Sequence, residues 1–189
     1  MRRLTLNLVL LILAATILHA APAMRAAQQA PPPPPPRQPG TYLEREVRHQ
    51  LVLLPYYTVF DDLEFKVEGD TVTLMGEVVN PVLKSDAGNV VKRVEGVQKV
   101  INNIKVLPLS TNDNRIRRAE YRAIYGDPSL YRYALQAVGP IHIIVDNGHV
   151  TLKGVVANIM DRNVVGVRAN GVPGVFSVDN QLRVEAQGK

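Results

Sequence analysis

Val72-Thr73-Leu74-Met75-Gly76-Glu77-Val78-Val79-Asn80 returns 78 residues later as Val150-Thr151-Leu152-Lys153-Gly154-Val155-Val156-Ala157-Asn158. The same offset, without a gap, carries Gly88 onto Gly166, Gly96-Val97 onto Gly174-Val175 and Asn102 onto Asn180. Between Leu63–Val106 and Ile141–Val184, 14 of 44 positions are identical, where ordinary residue usage gives roughly 3 by chance. The chain carries a duplicated module, and a repeat of this length outranks local signals in deciding the fold.

Within the stretch, Val72, Leu74 and Gly76 alternate with Thr71, Thr73 and Met75, the period of a half-buried strand. Upstream, Leu63, Phe65 and Val67 alternate with Glu64, Lys66 and Glu68, and Gly69-Asp70 makes the turn. The pair reads as a hairpin with one solvated face; in the second copy the turn is Asn147-Gly148, a strong hairpin signal. Asn80-Pro81 and Asn158 read as helix N-caps, with Leu83, Ala87, Val90/Val91 and Val94 on the buried side. Gly88 inside that helix costs about 1 kcal/mol against alanine, and its return as Gly166 implies close approach of helix and sheet. Gly96 reads as a left-handed C-cap, and Val97, Val100, Ile104 and Val106 as the third strand with its approach. Ahead of the first hairpin, Thr41 reads as the cap of a helix striped by Leu43, Val47, Leu51 and Leu54 and ended by Pro55. The second copy has a longer front: a helix around Arg115–Tyr125, the breaker Gly126-Asp127-Pro128, then a helical turn or two over Ser129–Val138. The fold class is α+β, two α-β-β-α-β modules, each a small mixed three-stranded sheet with helices packed on one face.

With 189 residues, the repeat makes two small domains. There is no cysteine and no tryptophan, so disulfides and thiol chemistry are excluded and the cores are built from Val, Ile and Leu. Residues 1–23 read as a Sec-type signal peptide, with a retained membrane anchor as the alternative: Arg2 and Arg3, the apolar run Leu4–Leu18, short for a span, then Ala21-Pro22-Ala23 as a cleavage site. Its removal takes the formal charge from +5 to +5 − 2 = +3 and puts the mature chain in the periplasm or outside the cell. No lipoprotein cysteine follows the apolar run. Residues 24–40 read as a linker whose run of six prolines, Pro31–Pro36, favours a polyproline II spacer. The remaining boundaries are 41–108 for the first module, 109–114 for a linker and 115–186 for the second module with its extended helical front.

No catalytic constellation emerges. His142 and His149 flank one hairpin as exposed strand residues without a third ligand nearby. Asp61-Asp62 and Asp161 do not form a general acid–base pair, and Ser110 and Ser177 have no histidine partner in sequence context. Catalytic, cofactor and metal residues are therefore assigned to none. One cluster stands out: Arg115, Arg117, Arg118, Arg122 and Arg132 interleave with Tyr121, Tyr125, Tyr131 and Tyr133, opposed by Glu120 and Asp127 alone. At helical spacing Arg118, Tyr121, Arg122 and Tyr125 share a face. Arginine with amphipathic aromatics suits an anionic membrane surface and also suits protein interfaces. The candidate binding residues are Arg115, Arg118, Tyr121, Arg122, Tyr125, Tyr131, Arg132 and Tyr133. The first module's front helix carries Glu44, Arg45, Glu46 and Arg48, nearly balanced, so any binding surface belongs to the second module.

The order of apolar strand, G-x-V-T-L-x-G-x-V, capped helix, G-V and V-x-N resembles the BON domain, over about Thr41–Leu107 and Arg115–Glu185. The resemblance implies an exported bacterial envelope protein of the kind that includes osmotically induced periplasmic proteins. It implies binding of phospholipid or other envelope components without catalysis, in support of envelope integrity or stress tolerance. The expected partners are an anionic phospholipid surface or, as an adaptor, an envelope protein, with no nucleic acid and no small-molecule substrate.

Overall fold

The computed structural model describes residues 39–185; the signal-peptide reading, most of the proline-rich linker and the last four residues lie outside them. The described residues open on helix α1 (Pro39–Val52), so Thr41 lies inside the helix rather than capping it. Strands β1 (Asp62–Glu68) and β2 (Thr71–Val78), helix α2 (Pro81–Val91), and the short strands β3 (Lys99–Asn102) and β4 (Lys105–Val106) complete the first module. The second repeats this order: α3 (Thr111–Tyr125), a 3-10 segment (Pro128–Leu135), β5 (Ile141–Asp146), β6 (His149–Val156), α4 (Ile159–Asn170), β7 (Ser177–Asn180) and β8 (Arg183–Val184). Helix α3 begins inside the expected 109–114 linker because Ser110 Oγ accepts from Asp113 N at 3.1 Å and caps it there.

The offset of 78 holds at the level of register. Leu63 faces Gly76 across an antiparallel ladder as Ile141 faces Gly154, and Val72 lies beside Val100 in parallel as Val150 lies beside Val178. The third strand is broken in both copies, into β3 and β4 on β2 and into β7 and β8 on β6. The break is organised by the repeated asparagine. Asn102 Nδ2 donates to Lys84 O on α2 at 2.7 Å while Asn102 Oδ1 accepts from Ile104 N at 3.2 Å; Asn180 makes the same pair of bonds to Arg162 O and Leu182 N. The helix glycines fall against these asparagines: a Cβ on Gly88 or Gly166 would meet the Asn Nδ2 at 2.9 Å. Gly88→Ala is therefore expected to destabilise by about 1 kcal/mol despite alanine's better helix propensity, read as a lower urea midpoint at unchanged slope.

Gly76 and Gly154 are fixed by the backbone itself. Their φ angles are +105° and +117°, and a Cβ would collide with the carbonyl oxygens of Asp62 and Pro140. Gly96 also has positive φ, but α2 ends at Val91 with Lys92 as its C-cap, so Gly96 turns the chain into β3 rather than capping the helix.

Each module buries one face of its sheet under its helices. Val47, Leu51, Val72, Leu74, Leu83 and Val91 centre the first core, and Ile116, Ile124, Ile143, Val150, Leu152 and Val165 the second. The hairpin with one solvated face describes β1, but not β5, where the outward Ile144 is only 3 % exposed. The outer faces of the two sheets meet. Lys153 on β6 reaches Asp62 at 2.6 Å, Glu64 at 3.2 Å and Glu77 at 3.8 Å, and Lys105 reaches Asp146 at 2.6 Å. Beside them the α1–β1 loop crosses over: Ile143 N donates to Val59 O at 2.7 Å, and Val59 lies within the second module's core, with Phe60 packed against it. That bond occupies part of the free edge of β5.

Candidate functional site

The second module's front helix separates its charges by depth. Asp113, Arg117 and Glu120 are buried, while Arg115, Arg118 and Arg122 are exposed. Each buried group has a place in the fold or none at all. Asp113 accepts from the backbone N–H groups of Asn147 and Gly148 at 3.1 and 2.9 Å and holds the Asn-Gly turn. Arg117 donates to Asn114 Oδ1 at 2.8 Å and to Val145 O at 2.5 Å. Glu120 is 0 % exposed with both carboxylate oxygens unpartnered, and burial pushes its carboxyl up to about 8. Ile116, Glu120 and Ile124 repeat the spacing of Leu43, Val47 and Leu51, so a neutral acid fills the rank that valine fills in α1.

The exposed side of α3 therefore has no acidic side chain. Arg115 donates to Asn112 Oδ1 at 2.9 Å. The side chains of Arg118 and Arg122 make no hydrogen bond or ion pair among the described residues and flank Tyr121, which is partly exposed. On α1 the exposed residues are mixed, with Glu44 beside Arg45 and Arg48. Arg118, Tyr121 and Arg122 share a shallow groove of about 230 Å³ with Phe60. Arg122 also borders a groove with the exposed Val167 of α4 and Pro173.

The eight residues singled out from the sequence divide three ways. Arg115, Arg118, Tyr121 and Arg122 lie on the exposed side of α3. Tyr131 and Arg132 are on the 3-10 segment, where Arg132 pairs with Asp161 and lies 5.1 Å from the Tyr133 ring centroid. Tyr125 and Tyr133 are in the core, each 6 % exposed, which corrects the placement of Tyr125 on one face with Arg118, Tyr121 and Arg122. Their hydroxyls are engaged internally: Tyr125 Oη donates to Ile141 O at 2.6 Å and accepts from Ile141 N, and Tyr133 Oη donates to Asp161 and accepts from Ala157 N at 2.8 Å. Tyr133 and Arg132 thereby give Asp161 partners that its sequence neighbourhood does not show.

The sequence reading missed Phe60, which reaches the site from the other module and meets the Tyr121 ring edge-on at 6.2 Å. No spacing in the sequence pointed to it, because the contact joins the α1–β1 loop to the core of the second module. His142 is not an exposed strand residue. Its Nδ1 lies 2.6 Å from Asp61 O, its ring stacks on Tyr57, and burial holds its pKa below the usual histidine range. His149 is exposed, with Nδ1 at 2.7 Å from Ser177 Oγ. Among the described residues no group of three His, Cys, Asp or Glu side chains could hold a metal ion, and no helix is long and apolar enough to cross a membrane.

Comparison with known families gives a match to the BON domain at residues 41–108 and 130–186. The second match starts after α3, although α3 packs on β5 and α4 as α1 packs on β1 and α2. No curated protein matches the chain. Among solved structures, the C-terminal domain of CdsD, a structural protein of the Type III secretion system of Chlamydia trachomatis, is 16% identical, covering 76% of this chain and 98% of that one at a TM-score of 0.27. A second structure of CdsD is 14% identical, covering 75% and 91%, also at 0.27.

Proposed function

The chain belongs to the BON-domain family, a non-catalytic family that occurs in envelope proteins, and from that premise we propose that it docks on anionic phospholipid surfaces through the exposed side of α3. The observation that carries this is the depth sorting of α3: its acids are buried and its unpartnered Arg118 and Arg122 flank Tyr121. Each arginine near an anionic leaflet contributes about 1 kcal/mol, and a tyrosine ring suits the headgroup level. Three arginines and one ring give reversible, salt-sensitive association rather than insertion. Docking by this route supports envelope integrity without any reaction.

Arg118→Ala, Tyr121→Ala and Arg122→Ala combined are expected to lower co-sedimentation with phosphatidylglycerol vesicles at least tenfold at low salt, with a modest fall in thermal stability from the loss of the Tyr121 ring packed beside Phe60 and Tyr125. Undiminished sedimentation of the triple variant contradicts the proposal. A protein-binding adaptor remains the second reading, since Tyr and Arg also dominate interface energetics; it predicts no vesicle binding by the unaltered protein.

A further inference from the structure

Behind the α3 groove lies a slot of about 230 Å³ between the two modules. Tyr57 and Phe60 of the α1–β1 loop form one wall, and Tyr121, Tyr133, Ala137 and Val138 the other. Phe60 and Tyr121 line both the slot and the groove that holds Arg118 and Arg122, so the two cavities adjoin through these rings. The hydroxyls of Tyr125 and Tyr133 are satisfied within the fold, which leaves aromatic surface facing the slot. No acidic side chain lines either cavity.

A slot walled by aromatic rings and Val138, with Thr58 and Gln136 also on its lining and two unpartnered guanidinium groups in the adjoining groove, suits a molecule with an anionic head and an alkyl tail. The volume limits how much tail enters. Whole-ligand sites run from roughly 300 to 1,000 Å³, so this slot takes a short run of methylenes and leaves the rest outside. We propose that the slot between the modules seats one alkyl chain of a single anionic lipid, whose phosphate is held by Arg118 and Arg122. This rests on the membrane-docking reading above and gives that contact a defined lipid stoichiometry of one.

The test titrates the full chain with n-alkyl phosphates from butyl to dodecyl, below their micelle concentrations, by calorimetry and native mass spectrometry. Each methylene that enters the slot raises affinity by up to about fourfold, so affinity is expected to climb with chain length and then level off at one ligand per chain. Ala137→Trp and Gln136→Trp, on exposed residues of the slot lining, are expected to abolish the chain-length dependence and to keep the affinity for inorganic phosphate. Two variants guard against one misfolding. Inorganic phosphate is the headgroup control. Affinity no higher for octyl phosphate than for phosphate, or an undiminished climb in both tryptophan variants, overturns the proposal. Capture of a proline-rich peptide with no alkyl phosphate binding also overturns it. Failure of vesicle binding alone, with the chain-length climb intact, removes the surface reading and leaves the slot standing.

Discussion

Val59→Asp is expected to unfold the second module, although Val59 belongs to the first. Val59 is 8 % exposed inside the second module's core, and its carbonyl accepts from Ile143 N. Removing the valine forfeits on the order of 1.5–3 kcal/mol of apolar burial, and an unpaired carboxylate in its place adds several more. A typical domain has about 5–15 kcal/mol in total, so the loss is a large part of the whole. Amide exchange separates this from a general weakening: protection at Ile141, Ile143 and Val145 should collapse first. Val59→Ala, which keeps the backbone bond, should cost only about 1–2 kcal/mol. Unchanged protection along β5 in Val59→Asp would mean that the modules fold without each other.

The second large effect is a gain. Glu120→Leu removes a buried carboxyl with no partner and restores the apolar rank of α1. The unfolded carboxyl has a pKa of 4.5 and the folded one about 8. Between those values the unfolded chain releases a proton that the folded chain keeps, so stability falls as pH rises from about 4.5 to 8 and levels off above. The slope approaches 1.4 kcal/mol per pH unit. Denaturant unfolding is accordingly expected to show Glu120→Leu more stable by on the order of 3 kcal/mol at pH 8 and by much less near pH 4.5. Parallel pH curves for the two proteins would show that Glu120 is not the titrating group.

Much of the fold was legible because the repeat imposes the same physics twice. The strand glycines recur where a carbonyl occupies the Cβ position, and the asparagines recur where a broken edge strand must be tied to a helix. Periodicity says which face is apolar, but not which distant segment meets the sheet. That is why the contact of Val59, Phe60 and Lys153 across the modules could not be read from spacing alone. The Arg/Tyr cluster was visible in composition, yet depth was not: helical spacing placed Tyr125 with Arg118, whereas the direction of its ring into the core depends on β5. Glu120 was counted as a charge opposing the arginines, and only its burial removes it from that role.

The most direct test of the proposed docking surface is amide line broadening by anionic bicelles carrying a headgroup nitroxide. Resonances of Arg118, Tyr121 and Arg122 on α3 are predicted to broaden first, with Phe60 beside them, while Glu44–Arg48 on α1 stay sharp. Broadening centred on α1, or spread evenly over both modules, would contradict docking through α3.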